Sequence, residues 1–134
     1  MNKDWIYAGI FLDNESREDL EDIFTLPDGW KPYYDHMTMV FNDGSEYAQA
    51  VKNLCEKLEG KDIDLHIVGQ GISDKAYAVK VVVPGGIPCA NKISHITLGC
   101  SPTGKPVDSN YIENWHEIDN DFYISGKVRI VYKS

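Results

Sequence analysis

Nowhere does the chain approach the roughly 18 consecutive apolar residues that a membrane span needs, which predicts a soluble protein with no membrane partner. Positive charge is also scarce. Against 21 Asp and Glu stand 13 Lys and Arg, a formal net charge of −8 over 134 residues. Tight, sequence-independent binding of long nucleic acid comes mostly from Lys and Arg neutralising phosphates. The balance therefore argues against such a partner and leaves room for a small or terminal phosphate, which needs only a few local donors. Cysteine is limited to Cys55, Cys89 and Cys100, an odd and widely spaced set with no Cys-x-x-Cys pair. Reduced thiols are expected, with neither a disulfide framework nor a zinc site. The start, Met1-Asn2-Lys3-Asp4, lacks the basic lead of a secretory signal and runs into Trp5–Leu12, which fits a strand and a cytoplasmic location. No low-complexity segment or shift in composition marks a linker, so residues 1–134 are expected to form a single domain.

What is present alternates strands with three helices. Ile6–Leu12 has the composition of a strand, and Ser16-Arg17-Glu18-Asp19 offers an N-cap with an acid three positions on, opening a short helix with Leu20, Ile23 and Phe24 on one face. Leu26–Pro32 is a loop by its Pro and Gly content. Tyr34–Phe41 is a second strand, and Asn42-Asp43-Gly44-Ser45 turns into a helix on which Tyr47, Ala48, Val51, Leu54, Cys55 and Leu58 recur at helical spacing until Gly60. Ile63–Ile72 and Ala76–Val83 predict a hairpin around Ser73-Asp74-Lys75. After the break at Pro84–Pro88, Ser94–Gly99 is a strand, and Ser109 is placed to cap a short helix through Trp115. Two closing strands, around Ile118–Ile124 and Lys127–Tyr132, are expected to meet at a Ser125-Gly126 turn. Each half thus contains a strand, a second strand with His-x-Thr near its start, and then a helix, an internal echo that suggests two similar lobes.

The echo centres on two triplets, His36-Met37-Thr38 and His95-Ile96-Thr97. With 4 His in the chain and as few Thr, two such triplets by chance have a likelihood on the order of half a percent. Strand side chains alternate between faces, so His36 shares a face with Thr38 and His95 with Thr97, while Met37, Met39, Phe41, Ile96 and Leu98 are expected on the opposite, core-facing side. Paired imidazoles suit in-line displacement at a phosphodiester. One, neutral, takes a proton from the attacking oxygen; the other, protonated, gives a proton to the departing one. A Thr hydroxyl two residues on can hold a non-bridging phosphate oxygen. No metal or cofactor is needed for that chemistry.

The motifs His36-Met37-Thr38-Met39 and His95-Ile96-Thr97-Leu98 resemble those of the 2H phosphoesterase superfamily, which is defined by two His-x-Thr/Ser-hydrophobic motifs, and the order of strands and helices agrees along the chain. The resemblance implies an α+β, two-lobed pseudo-symmetric fold of antiparallel sheets with flanking helices and a central cleft, one motif coming from each lobe. It also implies a phosphodiesterase acting on 2′,3′-cyclic phosphates, 2′-5′ linkages or related nucleotide phosphodiesters, with His36, Thr38, His95 and Thr97 as the catalytic set. The two motifs lie closer together than in many RNA-ligase-like members, and Ser94 stands before His95 where many relatives have proline.

Beside the motifs, Tyr33 and Tyr34 are candidates for stacking on a base, with strand packing as the alternative. Asn91-Lys92 could donate to a phosphate, Lys92 as a point charge. Tyr34 and Lys92 are accordingly the expected substrate-binding residues. His66 and His116 lack a following Thr and are assigned to the surface or a helix end. Gly85-Gly86 is assigned to a turn because no Gly-Lys-Ser/Thr follows. The acidic run Glu15–Asp22 has the spacing of a solvated helix face. The expected partner is a small nucleotide or oligonucleotide. The alternative from another class is a binding module that keeps the cleft and sequesters a nucleotide without turning it over.

Overall fold

The structure, a computed structural model, describes residues 4–119 and 122–133. Eight antiparallel strands and two α-helices follow one another as β1 (Trp5–Leu12), α1 (Asn14–Ile23), β2 (Lys31–Pro32), β3 (His36–Phe41), α2 (Glu46–Leu58), β4 (Asp62–Ile72), β5 (Ala76–Val82), β6 (His95–Cys100), a 3₁₀ turn (Pro106–Tyr111), β7 (Trp115–Glu117) and β8 (Tyr123–Tyr132). All strands belong to one sheet. Its order runs β6-β3-β1-β8-β4-β5, and β5 pairs again with β6, so six strands close into a ring, with β2 and β7 as short additions on β6 and β4. This is an α+β architecture rich in antiparallel sheet, with its strands joined in a continuous sheet where separate sheets were expected.

Both α-helices form for local reasons, with one shift from expectation. Asp13, not Ser16, caps α1: its carboxylate accepts from the Ser16 N–H at 2.8 Å. Ser16 itself is buried, and its hydroxyl accepts from the backbone of Ser125 on β8. Leu20 and Phe24 are buried, whereas Ile23 is exposed. Ser45 caps α2 through the Ala48 N–H, and Gly60 ends the turn at a positive φ of 84° that favours glycine. Ala48, Val51 and Cys55 turn inward, with the Cys55 sulfur 3.9 Å from that of Met39 on β3. Tyr47 and Leu54 remain exposed. The larger apolar cluster joins Ile10, Met37, Met39, Leu65, Ile67, Val79, Ile96 and Leu98 with the inner faces of both helices, and a smaller one holds Ala76, Ala78, Cys100 and Ile112.

At the C-terminal end the Ser125-Gly126 turn is overturned. Residues 123–132 form a single strand, with Gly126 paired to Leu12 on one side and Ile63 on the other. A Cβ on Gly126 would collide with the Phe11 carbonyl oxygen, so the glycine permits close backbone approach and not a reversal. Of the strand expected around Ile118–Ile124 only Tyr123 and Ile124 lie in a strand, at the start of β8; Ile118, Asp119 and Phe122 lie in none, and residues 120 and 121 lie outside the described residues. Ser109 sits inside the 3₁₀ turn, and Trp115, expected at a helix end, opens β7.

Candidate active site

Met37 of β3 pairs with Ile96 of β6 in antiparallel register. These are the middle residues of the two triplets, so each histidine is set across from the threonine of the other motif, on the face opposite the core. All four side chains line one cleft of about 400 Å³. The two motif strands share a further feature. Against β1, Ala8 pairs with Val40 and Gly9 with Thr38, leaving Met39 as an extra residue; against β5, Tyr77 pairs with Gly99 and Ala78 with Thr97, leaving Leu98. Each motif therefore ends in a β-bulge at its fourth position.

The first bulge corrects the expected facing of Phe41. Met39 and Val40 both turn to the core, at 0% and 2% exposure, so the alternation restarts one residue late and Phe41 emerges 62% exposed on the cleft side. There it joins a ladder of rings. His36 stacks between Tyr7 at 5.1 Å and Phe11 at 4.9 Å, Phe41 lies 5.8 Å from Tyr7 at an angle of 11°, and the Arg129 guanidinium covers Phe11. Gly9 makes room for this arrangement, because a Cβ there would come 3.3 Å from His36 Cδ2 and 2.8 Å from the Met37 oxygen.

The two imidazoles are held differently. His36 Nδ1 lies 3.0 Å from the Asp35 carboxylate, a half-exposed pair that becomes an ion pair when the ring is protonated. His95 is 8% exposed, and its Nδ1 lies 2.8 Å from the Ile93 carbonyl. A carbonyl only accepts, so Nδ1 carries the hydrogen and the neutral ring keeps its lone pair on Nε2. Burial pushes His95 below the ordinary imidazole value; the Ile93 hydrogen bond opposes that shift, and the charge of nearby His36 adds to it. The Thr97 hydroxyl lies 2.8 Å from that of Ser109, which is buried at the base of the 3₁₀ turn. Asn91 donates its amide to the Thr38 carbonyl at 3.1 Å, and Ala90 N–H donates to the Met39 carbonyl, fastening the segment before the second motif onto the first.

Among the expected binding residues, Tyr34 is placed away from the cleft. It is buried at a positive φ of 46°, with its hydroxyl donating to the Phe24 carbonyl. Its neighbour Tyr33 lines the cleft instead. Lys92 is exposed and lines a smaller cavity next to His95. His66 stacks on Tyr123 at 4.5 Å and His116 is exposed on β7, neither of them lining the cleft. Gly86 occupies a turn at φ 88°. Among the described residues no cluster of His, Cys, Asp or Glu could hold a metal, and no helix is long and apolar enough to cross a membrane. Asp35, Phe41, Tyr7 and Ser109 were not anticipated as site residues; the Asp-His adjacency was the one local signal available.

Also unanticipated was Gly99-Cys100-Ser101-Pro102-Thr103-Gly104-Lys105, which has the spacing of a phosphate-binding loop as far as its lysine. Pro106 stands in the place of the Ser or Thr that would meet a metal ion. The helix that follows is a six-residue 3₁₀ turn, and the Lys105 N–H already donates to the Asp108 carboxylate at 2.8 Å. A Cβ on Gly104 would strike the backbone of Lys75. The Ser101 and Gly104 amides are bonded to the Lys75 and Ser101 carbonyls, and a carboxylate stands where a phosphate would be drawn.

No known protein family matches the sequence, and no curated protein does. Among solved structures, the crystal structure of a fungal RNA kinase is similar to 99% of this chain, with a TM-score of 0.72 and 18% identity. At that identity the likeness establishes the fold. The chain spans less than half of that structure's length, 46%.

Proposed function

We propose that this protein is a metal-independent phosphodiesterase acting on a small nucleotide or RNA-end substrate: a 2′,3′-cyclic phosphate, a 2′-5′ linkage or a related cyclic nucleotide. The observation that carries the reading is the Met37–Ile96 pairing, which gathers both His-x-Thr motifs on one face of adjoining strands. The matching bulges after Thr38 and Thr97 support a place in the 2H phosphoesterase superfamily and a two-lobed origin of the fold.

In this reading His95, kept neutral by burial, takes a proton on Nε2 from water as the water oxygen bonds to phosphorus. His36, its Nδ1 held by Asp35, serves as the acid and gives an Nε2 proton to the ribose oxygen as the phosphorus–oxygen bond breaks. The departing group leaves as an alcohol, and solvent exchange restores both rings. Thr38 and Thr97 hold the non-bridging oxygens where charge develops. Phe41 offers its exposed ring to the base, at the open end of the ladder. A kinase reaction, as in the fungal RNA kinase, finds less support, since in the loop at Gly99–Lys105 the Lys105 amide is bonded to Asp108 and the Ser101 amide to Lys75.

The test is hydrolysis of a panel of 2′,3′-cyclic nucleotides, 2′-5′ dinucleotides and cyclic dinucleotides in EDTA, followed by phosphorus NMR. Turnover insensitive to EDTA, falling roughly 10²–10⁴-fold in His36→Ala and His95→Ala, is expected. Ligand uptake without product would move the assignment to a sequestering module.

A further inference from the structure

Beside His95 the cleft continues into a second cavity of about 230 Å³. The two spaces share Asn91, His95 and Asn110, so a ligand with its phosphorus between the imidazoles has access to both. Their chemistry differs. Tyr7, Phe41 and Val107 make the main cleft largely apolar, and Asp35 gives it a carboxylate. Lys92, Asn91, Asn110 and Trp115 line the second, and among the described residues no carboxylate does.

Several of its polar atoms are already committed. Ser109 is bonded to Thr97, the Trp115 N–H donates to the Ile112 carbonyl, and one Asn91 N–H goes to Thr38. Lys92 and Asn110 also line it and bring an ammonium and an amide, beside the rest of the Asn91 amide. That set is built for an anion. The volume lies below the roughly 300–1,000 Å³ of a pocket for a whole drug-sized ligand, which suits a phosphate with part of its sugar and not a second nucleoside.

We infer that this cavity is a subsite for a second phosphate of the substrate, held by Lys92 and Asn110. The protein then selects nucleotides that carry a phosphoryl group at the 5′ position besides the reacting one, as the terminal residue of an RNA does. The inference rests on the main cleft binding a nucleotide phosphate, as proposed above.

Isothermal titration calorimetry separates the two ideas because it needs no turnover. Adenosine 2′-monophosphate is compared with adenosine 2′,5′-bisphosphate, and the 3′ and 3′,5′ compounds likewise, on the wild type, Lys92→Ala and Lys92→Glu. The bisphosphate is expected to bind about fivefold tighter in at least one pair, the scale of a solvent-exposed charge contact. That preference should fall to about one in Lys92→Ala, invert in Lys92→Glu and shrink as salt is raised. Equal affinities in the wild type, or a preference that survives Lys92→Glu, overturn the subsite. A preference without hydrolysis of any substrate in the panel above would overturn the phosphodiesterase and leave the subsite standing; hydrolysis without preference would do the reverse.

Discussion

His95 gives its Nδ1 hydrogen to the carbonyl of Ile93, two residues before it, at 2.8 Å. That bond fixes the tautomer and turns the ring's basic nitrogen to the side away from the backbone. Together with burial, it makes the two histidines of the cleft chemically unequal.

The inequality has a pH signature. Since burial lowers the His95 value, activity that requires its neutral form persists below pH 6.5, and the acid limb of kcat/KM has its midpoint under that value. Stability follows the same group. Below about pH 6.5 the unfolded chain binds a proton that the folded one refuses until the pH is lower still. Stability thus rises with pH across that window and is fully recovered above it. Proton NMR titration of the His95 ring and denaturant melts between pH 5 and 7.5, about the span in which histidine titrates, check both statements. A midpoint above 6.5 refutes the assignment of His95 as base.

Asp35 orients His36 at 3.0 Å. Asp35→Asn keeps a hydrogen-bond acceptor but removes the carboxylate that holds the ring, so kcat is expected to fall about tenfold with KM nearly unchanged. Steady-state kinetics beside a thermal melt separate this from unfolding, because the pair is half-exposed and its loss should leave the melting temperature in place.

Phe41 makes a prediction about the base. Phe41→Ala is expected to raise KM for a cyclic nucleotide about five- to tenfold, the low end of a single base stack. The same variant should hydrolyse a base-free cyclic phosphate such as glycerol cyclic phosphate as the wild type does. Equal loss on both substrates would mean that Phe41 supports the ladder around His36 and not the base.

Ser109 is 1% exposed and bonded to Thr97. Ser109→Ala leaves the Thr97 hydroxyl to reorient, and a loss of about 1–2 kcal/mol in denaturant unfolding is expected, with several-fold slower turnover. Ser109→Thr, which retains the hydroxyl, should recover the turnover more than the stability.

Two glycines test the fold itself. Gly126→Ala places a methyl against the Phe11 carbonyl and is expected to cost about 2–4 kcal/mol. Gly85→Ala, at a position with open space around it, should be neutral within about 0.5 kcal/mol. Were 125–126 an open turn, Gly126→Ala would lose its clash with Phe11 and the gap between the two effects would narrow.

Much of this was legible in the residues because it depends on local periodicity. The strand bearing each His-x-Thr triplet, the α2 face of Ala48, Val51 and Cys55, and the hairpin β4–β5 all follow from apolar spacing over one element. Phe41, Gly126 and Tyr34 were misplaced for physical reasons of one kind. A bulge opposite Gly9 changes the phase of β3, a backbone contact with Phe11 explains Gly126, and a bond to Phe24 draws Tyr34 inward. Each depends on a partner more than nine residues away, which spacing within a strand does not record.

The sequence by itself determined that two imidazole–hydroxyl pairs stand on strand faces, since alternation of side chains is a property of the extended backbone. Its net charge of −8 also weighs against tight binding of a long polyanion. Only the tertiary structure decided that the pairs meet, through Met37 and Ile96, and that they are unequal, His36 beside a carboxylate and His95 buried on a carbonyl. Inequality of that kind comes from desolvation and from neighbours brought together across the sheet. Neither exists until the chain has folded.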